Sequence, residues 1–422
     1  MNEGLKKINR RRFLRQSAGF MGLAAAGLVM PSVHAEEPMP SDDPMRVPGA
    51  LPRPYGERSP FEKQQRLGGA GLGVPHGWGA NAPNNFYSMT PLQDLHGIMT
   101  PSSLHFERHH NGVPAIDPTR HRLLIHGLVD KPLNFTLEDL HRLPAVSRIA
   151  FLECSGNTWR GWREAQDVTV QDTHGMTSTS EWTGVKLSTL LEAAGMRRNA
   201  QWMLAEGSDA AGLDRSVPLT EEVLQEAMIC YGQNGEALRP EQGYPLRLFL
   251  PGFEGNINVK WLRRLKLGTA PFMTRWETAK YTELMPDGKA YQFTLVMDAK
   301  SVITYPSGRQ HIHPGFHEIS GLAWSGRGHV AKVEISVDGG RAWQTAQLQE
   351  PVLPKCHTRF RFPWRWTGQE AILQSRCVDE TGYVQPSRQD LVKVRGTNSF
   401  YHYNAIQSWK VERDGLVRNI YA

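Results

Sequence analysis

Near residue 275 the chain changes rhythm, and that change limits its fold more than any other feature. From about 101 to 270, short strand-like and helix-like runs alternate. His121 to Val129 reads as a strand, and Thr136-Leu137-Glu138-Asp139 is a helix-starting box ahead of Leu140 and Leu143. Lys186 to Ala194, closed by Gly195, and Thr220 to Met228, opened by a threonine cap, predict two more helices. Pro245 to Leu250 predicts an apolar strand ending at Pro251-Gly252. Beyond 275 the runs are strand-like. Lys332-Val333-Glu334-Ile335-Ser336-Val337 alternates, Asp338-Gly339-Gly340 supplies a hairpin turn, and Arg341 to Leu348 returns as the partner strand. The expectation is an α+β protein: a mixed domain over 101–272, then an immunoglobulin-like β-sandwich with a C-terminal tail over 273–422. The second domain carries no obvious catalytic equipment, so packing or dimerisation is its default role.

The N-terminus reads as an address. Arg10-Arg11-Arg12-Phe13-Leu14-Arg15 fits the twin-arginine pattern, Ala18 to Met30 is a short apolar core, and Val33-His34-Ala35 is a cleavage site with small residues in place. Residues 1–35 are therefore expected to be a signal peptide directing export to the periplasm, with a membrane anchor as the competing reading; thirteen mostly small residues are short for a bilayer. Cargo of this route usually carries a cofactor. The segment holds six Lys/Arg and one Glu, leaving 42 basic and 41 acidic side chains, so the basic balance of the whole chain does not argue for nucleic acid. Residues 36–100 are rich in Pro and Gly and read as an extension wrapped over the surface; the Gly68-Gly69-Ala70-Gly71-Leu72-Gly73 run lacks the strand and helix of a dinucleotide site.

Four cysteines, at 154, 230, 356 and 377, exclude a disulfide scaffold; Cys356 and Cys377 could pair or stay as buried thiols. Cys154 stands apart. Val146 to Leu152 has the makeup of a buried strand, and Ser155-Gly156-Asn157 breaks it, so the thiol is presented at a strand's carboxyl end. A soft thiolate there suits a metal that must stay partly open, whereas an isolated cysteine is more often a small core residue.

The loop from Phe151 through Cys154 to Trp162 resembles the metal-binding loop of the sulfite oxidase family. Other motifs stand in that family's order: Phe106-Glu107-Arg108-His109-His110, Glu181-Trp182-Thr183-Gly184-Val185-Lys186-Leu187, Gly243-Tyr244-Pro245-Leu246-Arg247, Asn258-Val259-Lys260-Trp261, and Val337-Asp338-Gly339-Gly340-Arg341-Ala342-Trp343 in the second domain. The resemblance implies a molybdopterin-binding catalytic domain at 101–272 holding Mo-molybdopterin, with Cys154 as the protein's ligand to molybdenum. It implies that Arg108 is the substrate-site arginine. Arg247 and Lys260 would meet the pterin and its phosphate. Phe106, His109, His110, Asp209, Gln242, Asn258 and Val259 would complete the cofactor contacts. His109 and His110, being adjacent, would point to opposite faces of a strand rather than share a metal.

The chain departs from the family where arginines usually follow the loop asparagine, having Thr158-Trp159-Arg160 instead. Leu213 falls at a tyrosine position and Gln242 at a histidine position, which predicts a less cationic and less polar pocket. Those departures, with Glu254-Gly255-Asn256 and Tyr401-His402-Tyr403-Asn404-Ala405-Ile406, resemble the molybdenum subunits of bacterial sulfane dehydrogenases within the family. That resemblance implies oxygen-atom transfer from water to sulfane sulfur on a carrier protein, or to sulfite. It also implies a c-type cytochrome as electron acceptor, and a homodimer within a hetero-oligomer. No Cys-x-x-Cys-His motif occurs in this chain. Three rival readings are a sulfite dehydrogenase acting on free sulfite, a cysteine hydrolase using Cys154, and a noncatalytic scaffold. A zinc site at His311, His313 and His317 is a further candidate, weaker than a polar loop beside Pro314-Gly315.

Overall fold

A computed structural model describes residues 51–68 and 85–422; the signal segment and the glycine run after Gly68 lie outside the described residues. Residues 51–62 are exposed along their length and belong to a separate unit. The chain from Lys63 to Ala422 is one compact unit whose two largest hydrophobic cores are accompanied by two smaller clusters, one of them around Phe106, Trp182 and Phe249.

The first core lies between two sheets. Ala145–Glu153 pairs antiparallel along its whole length with Thr177–Lys186, which continues to Met228–Gln233 and, beyond it, Arg247–Phe249. The second sheet runs Leu133–Phe135, Leu123–Gly127, Leu262–Gly268, Trp202–Gly207, Asp214–Pro218, with one parallel pair, Leu123–Gly127 beside Leu262–Gly268. Helix Leu187–Ala194 buries Leu187, Leu190, Leu191 and Ala194 in this core and ends on left-handed Gly195, while Thr136 and Asp139 form a reciprocal capping box before Leu137–His141. The helix expected to reach Met228 stops at Glu226, because Met228 is already the first residue of a strand held on both sides. Pairing overrides local propensity there.

The second core lies between a four-stranded sheet (Lys300–Tyr305, Gly315–Trp324, Thr358–Trp366, Gln347–Leu348) and a five-stranded one (Gln344–Thr345, Val330–Ser336, Ala371–Asp379, Ser408–Val411, Val417–Ile420). Trp324, Phe360 and Trp409 fill it, and the Trp409 indole satisfies its N–H on the Ile303 carbonyl. The expected hairpin forms only in part. Ser336 and Asp338 accept the amides of Gly340, Arg341 and Ala342, but the returning strand splits at buried Ala346. Gln344–Thr345 stays with its hairpin partner, and Gln347–Leu348 crosses to the other sheet.

The extension expected on the surface is partly interior. Phe86–Ser88 pairs with Glu107–His109, and Leu92 is fully buried among sandwich residues. All four cysteines are free.

His357 sits between the catalytic sheet and the sandwich, its ring 5.0 Å from that of Trp324 and its Nε2 2.9 Å from the Thr177 hydroxyl. Burial pushes its pKa down to about 3, and burial does the same to His105. Between that value and the ordinary value near ~6.5, the unfolded chain binds protons that the native chain refuses. The stability contributed is therefore complete above pH ~6.5 and lost as pH falls toward 3. Urea unfolding at pH 7 and pH 5 should show a loss of about 2 kcal/mol per histidine. His357→Gln should reduce that difference, and an unchanged difference would refute the assignment.

Candidate active site

Cys154 follows the strand Ala145–Glu153, and its position is set by its neighbour. The Glu153 carboxylate is fully buried and meets Lys300 Nζ at 2.6 Å, the Trp324 indole N–H at 2.7 Å and the Asn157 amide at 2.9 Å. Two of these partners come from the sandwich. Asn157 also donates to the His174 carbonyl and accepts from the Met176 amide, and Thr158, left-handed at φ 66°, donates its hydroxyl to the Tyr403 carbonyl. Gly255 lies against this loop so closely that a Cβ would stand 2.8 Å from the Glu153 carbonyl oxygen and 3.2 Å from Cys154 Cα. Only glycine fits that contact.

The thiol lies where two cavities meet. The wider, about 480 Å³, reaches the surface past exposed Arg275 and Lys280; its wall holds Arg108, Tyr87, Tyr281 and Tyr401 and, among the described residues, no carboxylate. The narrower slot is lined by Phe106, Leu213, Gln242, Asn256, Asn258 and Lys260, with Arg108, His110, Cys154 and Tyr281 shared between the two. The sequence predicts a pocket less cationic and less polar than one tuned for free sulfite. Leu213 and Trp159 do line it, but cations and tyrosines arrive from other segments. Burial raises the Cys154 thiol pKa against the pull of Arg108, and metal ligation would displace that proton.

Arg108 is held by neutral acceptors: the Asn85 side chain at 2.6 Å, the His109 carbonyl, and His110 Nδ1 at 3.2 Å. Lys260 donates to the carbonyls of Arg108 and Glu241 and to His109 Nδ1, so His109 carries its proton on Nε2 and gives it to Glu107, which Arg66 also pairs. Burial, then the nearby Arg247, pushes the Lys260 pKa down to about 7. Arg247 reaches only the carbonyls of Gln242 and Asn258 and the face of Trp182; its Nε has no partner among the described residues, and burial lowers its pKa to about 10. Lys260 lines the slot that reaches the thiol, whereas Arg247 lines neither cavity and lies buried behind it; with no acidic partner for either among the described residues, the two cations shape this side of the slot for an anionic group.

Other expected residues do different work. Gln242 binds the Phe106 carbonyl, Asn258 folds the 250–258 loop through Leu250, Phe253 and Glu254, and Val259 packs into the core. Asp209 accepts the Leu213 amide and shapes that turn without lining either cavity. His109 and His110 diverge, His109 toward Lys260 and His110 to the Tyr281 hydroxyl at 2.7 Å. His317 spends its ring nitrogens on the His313 carbonyl and the Tyr305 hydroxyl.

Sequence reasoning missed Asn85, Tyr87, Tyr281 and the buried Arg215, which pairs with Glu254 and Glu277 and covers the Tyr281 ring at 4.7 Å. The second domain, expected to be inert, supplies Tyr281, Phe400 and Tyr401 to the cavity and Lys300 to Glu153. The Tyr401 motif was visible as a resemblance; nothing in the sequence marked Tyr281.

The family described as "Oxidoreductase molybdopterin binding domain" matches residues 110–276, and "Mo-co oxidoreductase dimerisation domain" matches 291–409. Mitochondrial sulfite oxidase of Mus musculus is 30% identical over 332 residues, covering 72% of this chain and 61% of that protein. Nitrate reductase [NAD(P)H] of Hordeum vulgare is 30% identical over 351 residues, covering 72% of this chain and 39% of its own length. The chain thus spans about 61% of the length of the mitochondrial sulfite oxidases of Mus musculus and Rattus norvegicus. The crystal structure of the sulfane dehydrogenase SoxCD from Paracoccus pantotrophus superimposes with a TM-score of 0.81 and 45% identity, covering 87% of this chain and 96% of that one.

Removing Lys300 strands a buried carboxylate under the Cys154 loop. Lys300→Met should lower stability by about 3–5 kcal/mol, and adding Glu153→Gln should recover part of the loss. Chemical denaturation of the single and double variants measures both; a single-variant loss below about 1 kcal/mol would show that the pair does not brace the loop.

Proposed function

This chain belongs to the sulfite oxidase family of molybdopterin oxidoreductases, and we propose that it oxidises sulfane sulfur held on a carrier protein, with free sulfite the poorer substrate. The residues present fit the family's Mo-molybdopterin. Cys154 would ligate molybdenum, and Lys260, which lines the slot, would meet the pterin and its phosphate, with Arg247 adding its charge from behind; neither cation has an acidic partner among the described residues. When bound, that group supplies oxygen-atom transfer from water and accepts the electron pair. Arg108, whose side-chain partners are neutral acceptors, would hold the sulfur oxyanion next to Cys154.

What supports the substrate reading is the 45% identity, over 87% of this chain, to the sulfane dehydrogenase SoxCD, against 30% to the sulfite oxidases, together with a cavity that opens from Cys154 past Trp159, Phe400 and Tyr401. Each oxygen added consumes one water and releases two protons and two electrons, and a c-type cytochrome takes the electrons singly. Free sulfite remains the second reading, because Arg108, Arg275 and Lys280 also suit a dianion and the sulfite oxidases are 30% identical.

With cytochrome as acceptor, kcat/KM should be higher on persulfide-loaded carrier than on sulfite, and Cys154→Ser should fold yet lose turnover on both. Equal or faster sulfite turnover would return the chain to the sulfite dehydrogenases, and an active Cys154→Ser protein would remove the ligand assignment.

The reading includes a periplasmic, homodimeric mature chain assembled with the cytochrome. The twin-arginine pattern and the dimerisation-domain match support it. Among the described residues no helix is long and apolar enough to cross a membrane. Replacing Arg10 and Arg11 by lysine should hold the protein in the cytoplasm, and light scattering of the mature chain should give a dimer. Normal periplasmic yield, or a monomer at micromolar concentration, would defeat the respective part.

A further inference from the structure

We infer that Tyr281 is a catalytic residue that donates a hydrogen bond to the sulfur oxyanion as it forms beside Arg108, supplying from another segment the phenol that Leu213 lacks. The inference rests on the sulfur-oxidising reading above. Its first support is a chain of donors whose direction is fixed. The Arg108 guanidinium only donates, so His110 Nδ1, 3.2 Å away, must offer a lone pair. A neutral His110 then carries its proton on Nε2 and donates it to the Tyr281 oxygen at 2.7 Å. Burial and the adjacent Arg108 hold His110 in that neutral form. With its oxygen already accepting, the phenol keeps its own hydrogen for something else. Tyr281 lines both cavities that meet at Cys154.

The second support is independent of that chain. Tyr281 sits at φ 51°, a left-handed conformation that bulky residues rarely adopt. The surroundings hold it there: the Arg215 guanidinium lies 4.7 Å from the ring centre, itself fixed by Glu277 at 2.8 Å and Glu254 at 3.2 Å, and the Tyr401 ring stands 5.3 Å away. Backbone strain backed by a buried ion network keeps the hydroxyl in one place. Such rigidity suits a donor that must meet charge developing in the transition state. The phenol stays protonated throughout, because burial raises its pKa. The oxygen comes from water, and both protons and both electrons leave for solvent and cytochrome.

Tyr281→Phe in the full-length holoenzyme removes one oxygen atom and leaves the packing. Loss of one such donor is expected to lower kcat on the sulfur substrate about 10²-fold with KM changed less than about threefold. Molybdenum content should stay at the wild-type level. As a readout apart from turnover, calorimetric binding of sulfate to the oxidised holoenzyme should weaken about tenfold. A kcat within about twofold of wild type with unchanged sulfate binding would overturn the inference, as would loss of molybdenum from the variant, which would make Tyr281 part of the cofactor cradle. Were the wild type to oxidise neither sulfite nor persulfide, the functional reading would fall while the sulfate measurement still judged Tyr281.

Discussion

The architecture depends on one buried charge. Glu153 ends the strand that presents Cys154, and its carboxylate has no water to turn to. Lys300, Trp324 and Asn157 take its place, so the strand, the thiol loop and the sandwich share one electrostatic knot. Such a pair gives little net stability against an apolar alternative, but removing either half leaves an uncompensated charge. Its service is positional: the loop cannot shift without breaking contacts in two cores.

The division of labour between the domains follows from that knot. The first domain gives the thiol, Arg108 and the buried cations. The second closes the cavity with Tyr281, Phe400 and Tyr401. The basic groups fall into two kinds. Arg215 is matched by two carboxylates and stiffens the wall, whereas Arg247 and Lys260 lean on carbonyls and aromatic faces and so keep their field for a bound anion. A cation saturated by its own protein could not do the second job.

What the sequence revealed, and what it hid, follows from the range of each interaction. The Thr136–Asp139 box, the Gly195 cap and the strand leading to Cys154 are local and could be read along the chain. Met228 could not, because its partners lie some forty residues before and twenty after it, and the pairing outweighs the helix that Thr220 starts. Leu213 and Trp159 line the pocket, but its full character could not be read from those two positions, because a wall is a sum over segments: Tyr281, Tyr401, Arg275 and Lys280 reach it from elsewhere in the chain. Tyr281 left no periodic signal, since Arg215, Glu254 and Glu277 fix it from different elements.

The hydroxyl of Thr158 ends on the carbonyl of Tyr403, and the Ser155 carbonyl receives the amide of His402, so the thiol loop is tied to a segment 245 residues further along. On a growing chain, the strands around Ala145–Glu153 can pair long before that segment exists. Closure over Cys154 waits until residue 403 of 422 has been made. The order of synthesis therefore leaves a time when the thiol's neighbourhood has formed but its last wall is missing. Access to the thiol from that side is governed by residues remote from it in sequence, so a change near residue 403 can alter the site without touching any residue of the loop itself.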